Sequence, residues 1–241
     1  MSLLLGKEIV SLKKLIFQMA AKVEEAVRKA VDSVAERDIA KAKEVIAKDD
    51  EIDRMEIDIE EECLKILALH QPVAVDLRYV IACLKMNNDL ERIGDLAVNI
   101  AGRGISAAEF GEDSLILDFE PMMDKTRKML KHALDALINM DSSLAAKVIR
   151  DDDEIDAFNR QMHSEVNALI KANPSKCEYY IHLLCVARHL ERIGDYATNI
   201  SEDVVYLVTG EIIRHKGEFS STASEAANPM EFGINKIVSD K

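Results

Sequence analysis

Leu90-Glu91-Arg92-Ile93-Gly94-Asp95 recurs one hundred positions later as Leu190-Glu191-Arg192-Ile193-Gly194-Asp195. The agreement continues through Ala97, Asn99 and Ile100 against Ala197, Asn199 and Ile200. Upstream, Asp49-Asp50-Glu51-Ile52-Asp53 recurs as Asp152-Asp153-Glu154-Ile155-Asp156, now 103 positions on (49 to 152). Ala30, Asp32, Asp38, Ala42, Val45 and Ile46 find Ala133, Asp135, Asp141, Ala145, Val148 and Ile149 at that same offset. Two matched runs in the same order make the chain an internal duplication. The change in offset is a three-residue deletion between the runs in the second half.

Leu90, Ile93, Ala97 and Ile100 share one face of a helix, as do Ile52, Met55, Ile59, Cys63 and Ile66. Asp38 and Asp141 have the placing of N-caps that restart a helix. Pro72 and Pro174 mark tight turns. Each half therefore predicts three helices: residues 7–35, 38–70 and 76–108, then 121–140, 142–172 and 176–209. Gly102, Gly104 and Gly111 signal a linker between the halves. The expected fold is all-α: two tandem three-helix bundles in one elongated molecule. The first repeat is expected over 1–112 and the second over 113–215, with 216–241 a polar tail outside the repeat.

Composition agrees. Aromatic residues are 5% and Trp is absent, while 48% of residues are hydrophobic, so the core must be aliphatic and suited to helices. Only 9 Gly and 4 Pro leave room for long uninterrupted elements. The formal charge of −13 repels nucleic acid and anionic lipid and favours cations and basic partners. Cys63, Cys83, Cys177 and Cys185 form no CxxC pair and read as buried free thiols of a reducing compartment. No run of 18 apolar residues exists, so no membrane span is expected and the cytoplasm is the expected location.

The chemistry lies in the carboxylates. Glu91 and Asp95 are i, i+4 neighbours, with Asn88 and Asn99 extending the stripe. Glu191, Asp195 and Asn199 repeat it, with Arg188 in place of the leading Asn. On the preceding helix Asp49 and Asp53 are also i, i+4, continued by Glu56 and Glu60. The second-half line is Asp152, Asp156, Asn159 and His163. Folding each hairpin at its proline brings Asp53 level with Glu91 and Asp95, and Asp156 level with Glu191 and Asp195, because antiparallel helices rise equally per residue. An isolated acidic pair is ordinarily a solvated face, here answered by Arg92 or Arg192. Opposed rows that stay level in both halves predict a cation site instead, since clustered carboxylates repel unless neutralised. All-carboxylate ligation suits Fe, Mn, Mg or Ca. Gly94 and Gly194 are costly in a helix interior and predict close helix approach beside the site. They also stand where helix-bundle di-iron oxidases carry His three residues after Glu. That weighs against the alternative of a carboxylate-metal enzyme, oxidase or hydrolase, and no other catalytic motif occurs. A metal store ranks last, because only two compact sites are offered. His163 and His189 read first as structural histidines.

Asp76-Leu77-Arg78 after Gln71-Pro72, then Asp89 to Asp95, resembles the first repeat of the PhoU family, and Ala187 to Ile200 resembles the second. The likeness runs from about residue 8 to 215. It implies paired three-helix bundles that generally form homodimers. It implies metal binding through E(D)xxxD motifs, which Asp49/Asp53, Glu91/Asp95, Asp152/Asp156 and Glu191/Asp195 match. Iron is then the leading expected metal, with Mn, Mg, Ca or Zn as the others. Asn99 and Asn199 are candidate outer supports. The resemblance further implies a non-enzymatic cytoplasmic negative regulator of phosphate uptake. It would link the ATPase subunit of a phosphate ABC transporter to a sensor histidine kinase, and meet the membrane only through those partners.

Overall fold

The computed structural model of the chain describes residues 3–110 and 119–211. Among the described residues every regular element is helical: α1 (Leu3–Ala35), α2 (Ile39–Ala47), α3 (Asp49–His70), α4 (Ala74–Ala108), α5 (Glu120–Asn139), α6 (Ser142–Ala172) and α7 (Cys177–Thr209), with a short 3-10 turn at Pro174–Lys176 before α7. The two expected caps form. Asp38 holds extended backbone and its carboxylate accepts from the Lys41 N–H at 2.9 Å, while Asp141 accepts from Ser143 and Leu144 at 2.9 and 3.0 Å. Each satisfies backbone donors that a helix start leaves open. At the first hairpin, Gln71 takes the left-handed conformation (φ 45°) and buried Pro72 follows it.

Three expectations need correction. The helix expected over 38–70 is broken at Lys48, where i to i−3 hydrogen bonds (Lys48 N–H to Val45, Glu51 N–H to Lys48) tighten the turn. Asp49, Asp50 and Glu51 thereby open α3, where acidic residues are favoured by the helix dipole. The second half has no such break, and α6 runs straight through Asp151-Asp152-Asp153. Gly102 and Gly104 belong to α4 rather than to a linker. A Cβ on Gly104 would lie 2.9 Å from Val34 Cγ2, so this glycine lets α1 approach α4. Gly111, the boundary at 112/113 and the tail over 216–241 lie outside the described residues. All four cysteines are free, but only Cys63 and Cys83 are buried. Burial pushes the Cys63 thiol up to about 12, which makes it inert.

The halves are the two expected three-helix bundles, the middle helix of the first being divided into α2 and α3, and they pack against one another. α1, α2 and α3 pack on α4, α5 and α6 pack on α7, and α4 then packs along α7 with α1 touching α5. One continuous core results, including Leu12, Met19, Ile59, Met86, Met129 and Tyr180. The two central helices are antiparallel. Arg78 approaches Gly210, Lys85 lies 3.7 Å from Asp203, Arg103 lies 3.4 Å from His182, and the rings of Phe110 and Tyr179 are 5.8 Å apart. Since α7 repeats α4 in sequence, an antiparallel seam relates the halves by an approximate two-fold rotation. Midway between the Lys85–Asp203 and Arg103–His182 contacts, it sets Glu91–Asp95 and Glu191–Asp195 at one height.

Candidate metal centres

In the first half the opposed rows lie close enough to act on one another's charge. Leu90, Ile93, Ala97 and Ile100 are fully buried and fix the rotation of α4, just as Ile52, Ile59, Cys63 and Ile66 fix that of α3. Gly94 permits the approach: a Cβ there would lie 3.2 Å from Ile52 Cδ1 and 3.9 Å from Asp49 Oδ1. Asn87 locks the register one turn away, its amide donating to the Glu56 carbonyl at 2.9 Å. Asp49 is pushed up to about 6 by burial, then by the charges of Asp53, Asp95 and Asp50. Burial, Asp95, Glu56 and Asp53 raise Glu91, against the opposing pull of Arg92. Arg92 stands 3.5 Å from Glu91 and 3.3 Å from Asp95 and neutralises part of the row.

The second half repeats the arrangement. A Cβ on Gly194 would lie 3.1 Å from Ile155 Cδ1 and 3.5 Å from Asp152 Oδ1. Asp152 is pushed up to about 6 by burial, Asp195, Asp156 and Asp153, with a smaller opposing effect from the Thr198 hydroxyl. Burial raises Glu191 and Asp195 too, followed by Asp195 and Asp156 for the former and Asp156 for the latter. Asp156 also lies 3.6 Å from the exposed Arg160 guanidinium. The shifts share one physical cause: acidic groups held together in a partly dry groove resist ionising.

Every sequence-derived ligand candidate falls in one of these two clusters: Asp49, Asp53, Glu91 and Asp95 in the first, Asp152, Asp156, Glu191 and Asp195 in the second. Glu56 joins the first through its field on Glu91. Asn99 is exposed and Asn199 half-buried, and neither hydrogen-bonds to the carboxylates among the described residues. Also among the described residues, no three His, Cys, Asp or Glu side chains converge on one point. An ion would therefore have to draw these side chains inward from the positions they hold. The donor set fits a hard cation, being all oxygen and in excess of its neutralising arginines. Sequence reasoning passed over Thr198. Its first-half counterpart is Val98, so no repeated polar signal marked it.

The model of the PhoU domain matches residues 16–103 and again 119–204, one match to each half. The chain belongs to the PhoU family. It is similar to the phosphate-specific transport system accessory protein PhoU homolog of Aquifex aeolicus, at 38% identity over 88% of this chain and 96% of that one. The corresponding homolog 1 of Thermotoga maritima is 32% identical over 92% and 96% of the two chains. Among solved structures, PhoU from Pseudomonas aeruginosa superposes with a TM-score of 0.83 at 36% identity, covering 86% of this chain and 99% of that one. The phosphate transport system regulatory protein PhoU from Streptococcus pneumoniae gives 0.78 at 31%, covering 86% and 98%. PhoU proteins are accessory proteins and not enzymes, so the oxidase or hydrolase alternative falls away.

Proposed function

We propose that this PhoU-family chain is a metal-binding regulator of phosphate transport. It works in the cytoplasm as a homodimer and restrains uptake and the phosphate-starvation response. It does so by linking the transporter's ATPase subunit to a sensor histidine kinase. The observation that carries the metal reading is the pair of opposed carboxylate rows, level with one another in both halves and each holding an aspartate at about 6. A cation between the rows, with iron favoured, relieves that repulsion and couples α3 to α4 and α6 to α7. Such an ion would be held by Asp49, Asp53, Glu91 and Asp95 in one half, and by Asp152, Asp156, Glu191 and Asp195 in the other. Support for the transport role comes from relatives described as phosphate-specific transport accessory proteins. Support for cytoplasmic placement comes from the absence, among the described residues, of any helix long and apolar enough to cross a membrane.

Two experiments test this. Deleting the gene derepresses phosphate-starvation genes and raises uptake in phosphate-rich medium, and tagged protein brings down the transporter ATPase or the kinase. An unchanged starvation response together with no such capture rejects the regulatory role. Elemental analysis of purified protein shows metal that falls sharply in Glu91→Gln/Asp95→Asn/Glu191→Gln/Asp195→Asn. Equal metal in wild type and variant rejects the metal reading.

A further inference from the structure

The two clusters are copies in position but not in charge. Where α3 carries Glu56 and Glu60, α6 carries Asn159 and His163, and where α4 carries Asn88, α7 carries Arg188. The second cluster thus loses two carboxylates and gains a guanidinium. The arginines also behave differently. Arg92 is engaged by Glu91 and Asp95. Arg188 and Arg192 have no carboxylate within 4.0 Å among the described residues. Together with Asn159, His163, Glu191 and Asp195 they line an open cleft of about 370 Å³. The basic side of this cleft continues to His189, which is half-buried with Arg103, Arg192 and Arg188 as its charged neighbours. A chain of overall charge −13 therefore holds a local pair of guanidinium groups that feel the charges of Glu191 and Asp195 but make no ion pair within 4.0 Å among the described residues.

Paired guanidinium groups bind tetrahedral oxyanions through charge-assisted, fork-shaped hydrogen bonds. The nearby Glu191 and Asp195 would repel such an anion, unless a cation stood between. We infer that the second-half cleft binds inorganic phosphate together with the metal ion, with Arg188 and Arg192 as phosphate donors and Glu191 and Asp195 on the metal. This rests on the metal reading above. The first half, where Arg92 is ion-paired and Asn88 stands in place of Arg188, lacks such a pair and takes metal alone. Because each ion offsets the charge opposing the other, metal and phosphate bind with positive and reciprocal coupling.

The test uses the full chain loaded with Mn²⁺ and follows ³¹P relaxation of inorganic phosphate, with bound Mn²⁺ measured in parallel by equilibrium dialysis. Wild-type protein broadens the ³¹P signal beyond the effect of the free Mn²⁺ in the dialysate. Arg188→Gln/Arg192→Gln weakens phosphate binding roughly ten- to hundredfold, the loss expected for charge-assisted hydrogen bonds, while Mn²⁺ is still taken up. Lys131→Gln, which removes an exposed cation of α5 outside the cleft, leaves the broadening as it was. Bound Mn²⁺ with no phosphate effect overturns this inference alone. Full broadening in the double arginine variant overturns it too. Failure to take up Mn²⁺ at all overturns both it and the metal reading.

Discussion

Asp152→Asn tests whether the clustered carboxylates are held under repulsion. Asp152 is held at about 6 rather than at its ordinary 3.8. Such a displacement corresponds to roughly 3 kcal/mol against the ionised form at pH 7. The group is only half-buried, and solvent screening reduces the part that reaches stability to about 1 kcal/mol. The folded carboxyl holds its proton to higher pH than the unfolded one. The penalty is therefore absent below pH ~4, grows as pH rises toward about 6, and is constant above that. Asparagine keeps the shape and removes the charge. In metal-free buffer at pH 7 the variant should be more stable than wild type by about 1 kcal/mol, a rise in Tm of about 2–4 °C for a chain of this size. Near pH 4 the two should melt together. Thermal unfolding followed by circular dichroism across this range, with chelator present, reads the difference directly. A variant less stable than wild type at pH 7 would refute the reasoning, as would an equal gain at both pH values.

Other outcomes follow from the glycines and the caps. Gly102 has nothing within 4 Å of a built Cβ, so Gly102→Ala should gain up to about 1 kcal/mol of helix propensity in a chemical denaturation curve. Gly94→Ala presses on both Cδ1 and Cγ2 of buried Ile52, at 3.2 and 3.3 Å, so the propensity gain should be outweighed and stability should fall by about 1 kcal/mol. Gly104→Ala, 2.9 Å from Val34 Cγ2, should lose at least as much. Asp141→Ala strips the acceptor from two backbone N–H groups and should cost about 1 kcal/mol in the same assay.

How much of this was legible in the sequence depends on which interactions have a local signature. Asp38, Asp141, Pro72 and the paired acidic rows are read from residue type and spacing, and their places in the structure follow from those rules. Gly94 and Gly194 were legible because an unfavourable residue recurs at the same position in both halves. The break at Lys48 was not, because its i to i−3 hydrogen bonds leave the apolar period of α2 and α3 intact. The seam between α4 and α7 was also hidden. A helix packed on one side shows one apolar stripe, but these two are enclosed by several neighbours. Asn87, Asp89, Ser201 and Asp203 are buried although polar. Asp203 meets Lys85 across the seam, and no local pattern announces a partner so distant in sequence. The cleft beside Arg188 depends on a difference between the halves, whereas the repeat draws the eye to what they share.

Crystals soaked with Mn²⁺ or Fe²⁺ and measured at the metal absorption edge test the central claim most directly. The account predicts anomalous peaks between α3 and α4 beside Asp49, Glu91 and Asp95, and between α6 and α7 beside Asp152, Glu191 and Asp195. Well-ordered carboxylate rows with no peak between them, or metal found only elsewhere on the molecule, would contradict it.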